Sequence, residues 1–236
     1  MPPLLRSLLK RIESRALILV IGAAVALWGF FKIAGEMVEG DTEAIDRLIL
    51  LAFRNPHNHA EPMGTRSFQE AMRDVTAMGG VTVTTLVTVV GVVAFLAHGR
   101  RRRAALLAGT VALAEISSEL LKRFYARPRP DLVPHGSYVY SASFPSGHST
   151  ISAAVFLTLA MLIASVEPNR STKVLTFVVA FALVLAIGIS RIYLGVHWPS
   201  DVLAGWSLGA AWALAAWLAL LKWIGRENVA GRTPSS

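Results

Sequence analysis

Cysteine is absent from the 236 residues, which excludes disulfides and thiolate-held metals. Charge is scarce too: 16% of residues are charged, 54% are hydrophobic, and the mean hydropathy is +0.53. A soluble domain of this size needs a wetter surface, so the composition is that of a multi-span membrane protein. The charge that remains leans one way, with 23 Lys and Arg against 15 Asp and Glu and a formal net charge of +8. No interleaving of aromatic and basic residues accompanies it, which argues against nucleic acid as a partner. The excess fits cytoplasmic loops on an anionic leaflet and an anionic substrate. No internal repeat is visible, which disfavours an anion transporter built from paired halves with broken helices at the membrane midplane.

Apolar runs predict six spans, an all-α integral membrane bundle of six transmembrane helices. Residues 1–15 are basic and lead into Ala16–Phe31, extended towards Gly35; no small-residue cleavage site follows, so this reads as a retained span and not a secretory signal. The remaining spans are Met78–Ala97, Ala104–Leu121, His148–Val166, Val174–Ile189 and Val202–Trp223. Residues 36–74 read as a polar outer loop, in which Ala44–Phe53 suits a short helix lying on the membrane surface. His57 and His59 there read as exposed loop residues, because further metal ligands are missing nearby. The division is therefore 1–74 (first span and outer loop), 75–223 (a core of five spans) and 224–236 (a loose polar tail).

Arg100–Arg103, four arginines in a row, mark a cytoplasmic face that also carries the basic N-terminus, Arg170 and Lys173. One cluster breaks this rule: Lys122, Arg123, Arg127 and Arg129 fall on the opposite, outer side. Cations placed against the topology rule have another purpose, and holding a polyanion is one. Glu119 lies one turn from Lys122, a helix-end ion pair, and Glu115 is an ionisable group inside a span. Threonines in the second span should bond back to their own helix. Gly205 and Gly209 form a Gly-x-x-x-Gly packing face, and Trp198 and Trp223 suit the interfacial belts.

Three polar stretches fall at helix ends on the outer side: 122–130, 145–148 and 190–201. Ser146 before a long apolar run is a natural N-cap, and the free N–H groups beyond it, from Gly147, favour an anion. Pro199 fits a first helical turn, which puts His197 and Asp201 on one side, four residues apart. A carboxylate there holds one imidazole nitrogen as N–H and leaves the other lone pair free. Lys122, Arg129 and Arg191 add positive charge, and His148 a second imidazole. This is what phosphoryl transfer needs: charge clamps, a nucleophile and an acid for the leaving oxygen. The residues alone leave open which histidine attacks; the carboxylate partner favours His197. No carboxylate pair or His cluster beside these stretches cages a metal, so no cofactor is expected.

Lys122 to Arg129-Pro130, then Pro145-Ser146-Gly147-His148, then Ser190-Arg191, His197 and Asp201 resemble the three-part signature of the type-2 phosphatidic acid phosphatase superfamily. The resemblance covers about residues 75–223. It implies six helical spans, metal-independent hydrolysis and a covalent phosphohistidine. By matching positions, His197 attacks phosphorus, Asp201 orients it, and His148 protonates the leaving oxygen and then activates water. Lys122, Arg129, Arg191, Ser146 and Gly147 bind the phosphoryl oxygens. The expected substrate is a lipid phosphate in the bilayer, hydrolysed at the periplasmic face of a bacterial-type inner membrane. Arg123 or Arg127 exceeds what a monoester needs, which points to undecaprenyl diphosphate first; phosphatidylglycerophosphate, phosphatidic acid and lipid A are the alternatives. Vanadium haloperoxidases share the motifs, but six apolar spans disfavour that soluble chemistry.

Overall fold

The computed structural model describes residues 3–137 and 141–230, with side chains described for Ser14, 16–137 and 141–223. Among the described residues the chain forms α1 (Pro3–Glu39), α2 (Glu43–Leu51), a hairpin of β1 (Arg54–Asn55) and β2 (Asn58–Pro62), α3 (Arg66–Ala77), α4 (Val81–Ala97), α5 (Arg101–Tyr125), α6 (Gly147–Ala164), α7 (Arg170–Tyr193) and α8 (Pro199–Ala230). The protein is an all-α membrane bundle. Five segments are long and apolar enough to cross a membrane: Ala16–Glu39, α5, α6, α7 and Pro199–Trp223. A sixth is reached when the bent pair α3 and α4, inclined 47° to each other, is counted as one span.

That pair corrects the expected outer loop. Residues 66–77 are helical, started by Thr65, whose Oγ1 accepts from the N–H of Phe68. The helix is polar on average, so a search for apolar runs passes over it. Phe68 and Met72, four apart, nevertheless share one side, where Phe68 meets Tyr193 edge-on at 5.4 Å and Met72 joins the Tyr193 cluster. Gly79-Gly80 then interrupt the helix, and a Cβ on Gly79 would collide with Ile187 and crowd His148. In α4, Thr84 and Thr88 donate to the carbonyls of Gly80 and Thr84, as expected of span threonines. His57 and His59 are exposed on the hairpin.

α6 is the inner helix, packed by α5, α7 and α8, while α1 lies on the far side of α8. Lipid tails are as apolar as leucine, so helix association in the membrane depends on close packing and hydrogen bonds rather than on hydrophobic burial. The α6–α8 seam shows both. A Cβ on Gly205 would stand 2.7 Å from the Ser146 carbonyl, and one on Gly209 would strike the Thr150 carbonyl. At the outer end of the seam the N–H of Ser146 donates to the carbonyl of Asp201 at 3.0 Å. The starts of α6 and α8 are thereby pinned together.

The helices overrun the apolar runs at both ends. α5 begins within the arginine run and continues through Lys122 and Arg123; it stops at Ala126, which takes a left-handed φ of 45° two residues before Pro128. α7 carries Ser190 and Arg191 in its last turn. α8 runs to Ala230, so 224–230 are helical and not a loose tail, and 231–236 lie outside the described residues. Trp198 is also not a belt residue: it is buried, its Nε1 donates to the Pro128 carbonyl, and Arg127 sits over its ring. Trp223 receives Arg102 over its ring.

Adding one methyl to the seam tests this packing. Gly205→Ala and Gly209→Ala should each lower stability in detergent by about 1–3 kcal/mol, the usual cost of overpacking. Gly109→Ala, where a Cβ meets nothing within 4 Å, should leave the thermal midpoint unchanged.

Candidate active site

Two helix ends, one helix start and one turn meet on one side of the bundle. The last turn of α5 carries Lys122, the last turn of α7 carries Arg191, α6 begins at Gly147-His148, and the α7–α8 turn holds His197. Six expected site residues, Lys122, Arg129, Gly147, His148, Arg191 and His197, line one cavity of about 250 Å³. The other two do not reach it: Asp201 lies behind His197, and Ser146 is wholly buried beneath the α6 start. Ser146 holds the N-cap position, but its Oγ makes no cap bond; it accepts instead from Ser149 Oγ at 3.0 Å.

His197 is fixed on both nitrogens. Arg129 Nη1 stands 3.2 Å from Nε2, and Asp201 Oδ2 stands 3.4 Å from Nδ1. A guanidinium only donates, so Nε2 accepts, and the network assigns the proton to Nδ1, facing the carboxylate. Burial, followed by the charges of Arg191, Arg129 and Lys122, holds the imidazole well below the usual histidine pKa. His197 is therefore neutral at pH 7, with its Nε2 lone pair turned to Arg129 at the cavity wall. Asp201 Oδ2 also accepts from the Trp198 N–H at 2.9 Å. This is a reach from the third residue of α8 back to its cap, and it fixes the carboxylate with local backbone.

The cations are held by groups the motifs do not include. Arg191 is buried, and its Nη1 donates to Thr76 Oγ1 on α3 at 2.9 Å while its buried Nε finds no acceptor. Arg129 Nε donates to the Ser141 carbonyl and Nη1 to the Val196 carbonyl. Lys122 Nζ bonds Glu119 at 3.0 Å, the expected ion pair. It also lies so close over Gly147 that a Cβ there would stand 2.9 Å away. Glu115 and Glu119 line the cavity as well, with Val81, Thr84 and Ile151 towards α4 and α6. A buried guanidinium with an unused donor, a second guanidinium, an ammonium and two imidazoles around one small cavity suit a tetrahedral oxyanion.

Sequence reasoning missed Asp46, Thr76, Gly79 and Ser141, all near the site. It also misplaced Arg127, which does not line the cavity. Arg127 donates to Asp201 Oδ1 at 2.6 Å, Asp46 Oδ2 at 2.8 Å and Ser200 Oγ at 2.7 Å. Arg123 is exposed and is not part of the cavity wall. Arg127 stood in the right motif stretch, but nothing local in the sequence points to its partners on α2.

A bundle of membrane helices with cations and imidazoles gathered around one cavity at its helix ends defines the class. A family model of the PAP2 superfamily matches residues 103–224, just over half of the chain, and the chain belongs to that superfamily. It is 42% identical over 95 residues to phosphatidylglycerophosphatase B of Bacillus subtilis, covering 39% of this chain and 45% of that protein. It is 33% identical over 103 residues to undecaprenyl-diphosphatase of Sulfolobus acidocaldarius, covering 42% of this chain and 46% of that protein. The matched stretch thus spans less than half the length of either relative. Among solved structures, the transmembrane PAP2-type phosphatidylglycerolphosphate phosphatase of Bacillus subtilis is similar with a TM-score of 0.68 and 26% identity, over 87% of this chain and 96% of that one.

The Lys122–Gly147 contact gives a direct test of the cradle. In Gly147→Ala the added methyl displaces the ammonium. Calorimetry should then read an orthovanadate affinity weaker by roughly 10- to 100-fold, the equivalent of one charged hydrogen bond. Unchanged affinity would remove Lys122 from the oxyanion's partners.

Proposed function

We propose that the protein is an integral membrane lipid phosphatase that hydrolyses a lipid phosphate monoester at the outer, periplasmic face through a phosphohistidine on His197. The observation that carries this reading is the state of His197. It holds Nδ1 towards Asp201 and Nε2 towards Arg129, at the wall of a cavity that Lys122 and Arg191 also line.

In the reaction, the phosphoryl oxygens take the donors of Lys122, Arg129 and Arg191 and the backbone at Gly147. Arg129 gives up its bond to Nε2 for a phosphoryl oxygen, which frees the nucleophile. Nε2 attacks phosphorus in line with the ester oxygen, and the P–O bond breaks as the N–P bond forms. Asp201 stabilises the positive charge that spreads onto the imidazole. His148, which takes up a proton from solvent as the phosphate's negative charge enters among the cations, gives it to the leaving alcohol. It then takes one from water, which attacks phosphorus, breaks the N–P bond and releases phosphate with His197 neutral again. Side chains alone supply the charge, so activity is expected to be metal-independent. The buried Ser146 hydroxyl supports the start of α6 and is not assigned a bond to substrate.

Charge favours a monoester over a diphosphate. The cavity wall holds three permanent cations and two carboxylates, Glu115 and Glu119. That suits one phosphoryl dianion and leaves little for a second. Arg127, which favoured undecaprenyl diphosphate from sequence, is engaged by Asp46 and Asp201 outside the cavity. Phosphatidylglycerophosphate or phosphatidic acid is therefore the preferred substrate. A chain that stays in the bilayer gains about 0.8 kcal/mol per buried CH₂ from the membrane itself, so the protein needs to recognise little beyond phosphate.

Rapid quenching with ³²P-labelled phosphatidic acid should trap label on His197, and His197→Ala should abolish both label and turnover. Label on Ser146 would overturn the assignment. In matched micelles, phosphatidic acid and phosphatidylglycerophosphate should turn over faster than a polyprenyl diphosphate; the reverse order would return the diphosphate to first place. For the side of the membrane, Ser137→Cys should react with an impermeant thiol reagent on intact cells and Arg102→Cys should not. The absence of native cysteine makes that reading clean, and labelling of Arg102→Cys from outside would move the chemistry to the cytoplasm.

A further inference from the structure

Behind His197 lies a second layer of buried charge, in which Arg127, from within the first motif stretch, joins Asp201 to Asp46, which belongs to none of the three motifs. Asp46 projects from α2, a helix whose opposite side exposes Ile45 and Leu48. Its carboxylate is 1% exposed, that of Asp201 is wholly buried, and the Arg127 side chain between them is 12% exposed. Arg127 uses its two terminal nitrogens separately, Nη2 to Asp46 Oδ2 at 2.8 Å and Nη1 to Asp201 Oδ1 at 2.6 Å. Asp46 Oδ1 accepts the N–H of Ser200 at 2.8 Å, an orphan donor of the first turn of α8, and Oδ2 accepts Ser200 Oγ at 2.6 Å.

We infer that Asp46 and Arg127 are positioning residues for the His197–Asp201 pair, with α2 supplying the carboxylate that holds Arg127 against Asp201. The inference rests on His197 as the nucleophile. The two Asp201 oxygens have separate partners. Oδ1 is taken by Arg127, and Oδ2 faces the Trp198 N–H and His197 Nδ1. Arg127 thereby fixes the rotation of the carboxylate so that Oδ2 meets the imidazole. It also sets a guanidinium against a fully buried carboxylate, whose burial is costly without such a partner. A protonated or rotated Asp201 no longer supports the charge that forms on His197 during phosphoryl transfer. Asp46 acts one step further back. It neutralises part of the guanidinium, orients it against Asp201, and ties the start of α8 to the same network. Asp46 lies outside residues 103–224, where the family model matches, so the site draws a side chain from beyond the stretch that the family model covers.

The full-length enzyme in detergent, with ³²P-labelled phosphatidic acid, tests this. Arg127→Ala should lower kcat by about 100-fold and Asp46→Asn by about 10-fold, the range seen when an outer hydrogen-bond partner of a functional histidine is lost, with KM within about threefold of wild type because neither residue lines the cavity. Added guanidinium should restore about tenfold in kcat to Arg127→Ala and nothing to Asp46→Asn. Rapid quenching should show label appearing on His197 more slowly in step with kcat. Arg123→Ala, an exposed neighbour, should match wild type. If Arg127→Ala fails to fold, judged by size-exclusion and thermal melting, Arg127→Lys and Asp46→Asn carry the test. A lysine cannot span both carboxylates, so it should also lose about tenfold in kcat. Wild-type kcat in both, or wild-type labelling rates in Arg127→Ala, would overturn the positioning role and leave the nucleophile standing. Absence of label on His197 in the wild type would instead remove the nucleophile, and this inference with it.

Discussion

Asp201 is a carboxylate with no exposed surface, and the arrangement of the outer helix ends follows from satisfying it. Burying a lone charge costs several kcal/mol even after relaxation, unless partners meet it with good geometry. Here a guanidinium, a backbone N–H and an imidazole N–H surround it, and its own carbonyl accepts from the start of α6. One residue thus ties α8, α6, the α5–α6 loop and, through Arg127, α2. The cavity in front of His197 inherits its shape from those ties.

Much of this site was legible in the chain because its chemistry is local. His197 and Asp201 are one helical turn apart, Ser146 and Gly147 open a helix, and Lys122 and Arg191 close two others. Spacing rules for helices carry such relations directly. The bundle was legible for the same reason, since apolar runs report lipid exposure. Thr76, Gly79 and Asp46 were not, because each meets a partner far along the chain: Arg191 to Thr76 spans 115 residues and Ser200 to Asp46 spans 154. Ser141 meets Arg129 only 12 residues away, but through its backbone carbonyl, which any residue type carries. No periodicity encodes those meetings. Helix α3 was missed for a different reason, as its amphipathic stripe is diluted by charge when averaged over a window.

The cavity wall combines two demands that compete elsewhere in proteins. Cations must converge closely enough to hold an oxyanion, yet three of them around one small cavity repel one another. The carboxylates of Glu115 and Glu119 temper that repulsion from the α5 side, and Glu119 does so by direct contact with Lys122. Arg191 avoids a carboxylate altogether and rests on the neutral Thr76 hydroxyl. Its charge is therefore left undiluted for a ligand, whereas that of Lys122 is shared.

The link from Asp46 to Arg127 bears on how parts of this chain can be exchanged. The stretch that carries the three motifs reads as a self-sufficient cassette, and a graft of it onto a foreign N-terminal portion looks harmless by alignment. Physically, such a graft would strip Arg127 of one carboxylate and the first turn of α8 of an acceptor, burying an unbalanced guanidinium next to Asp201. A working chimera has to import α2 together with the core, or recreate its carboxylate from whatever helix replaces it.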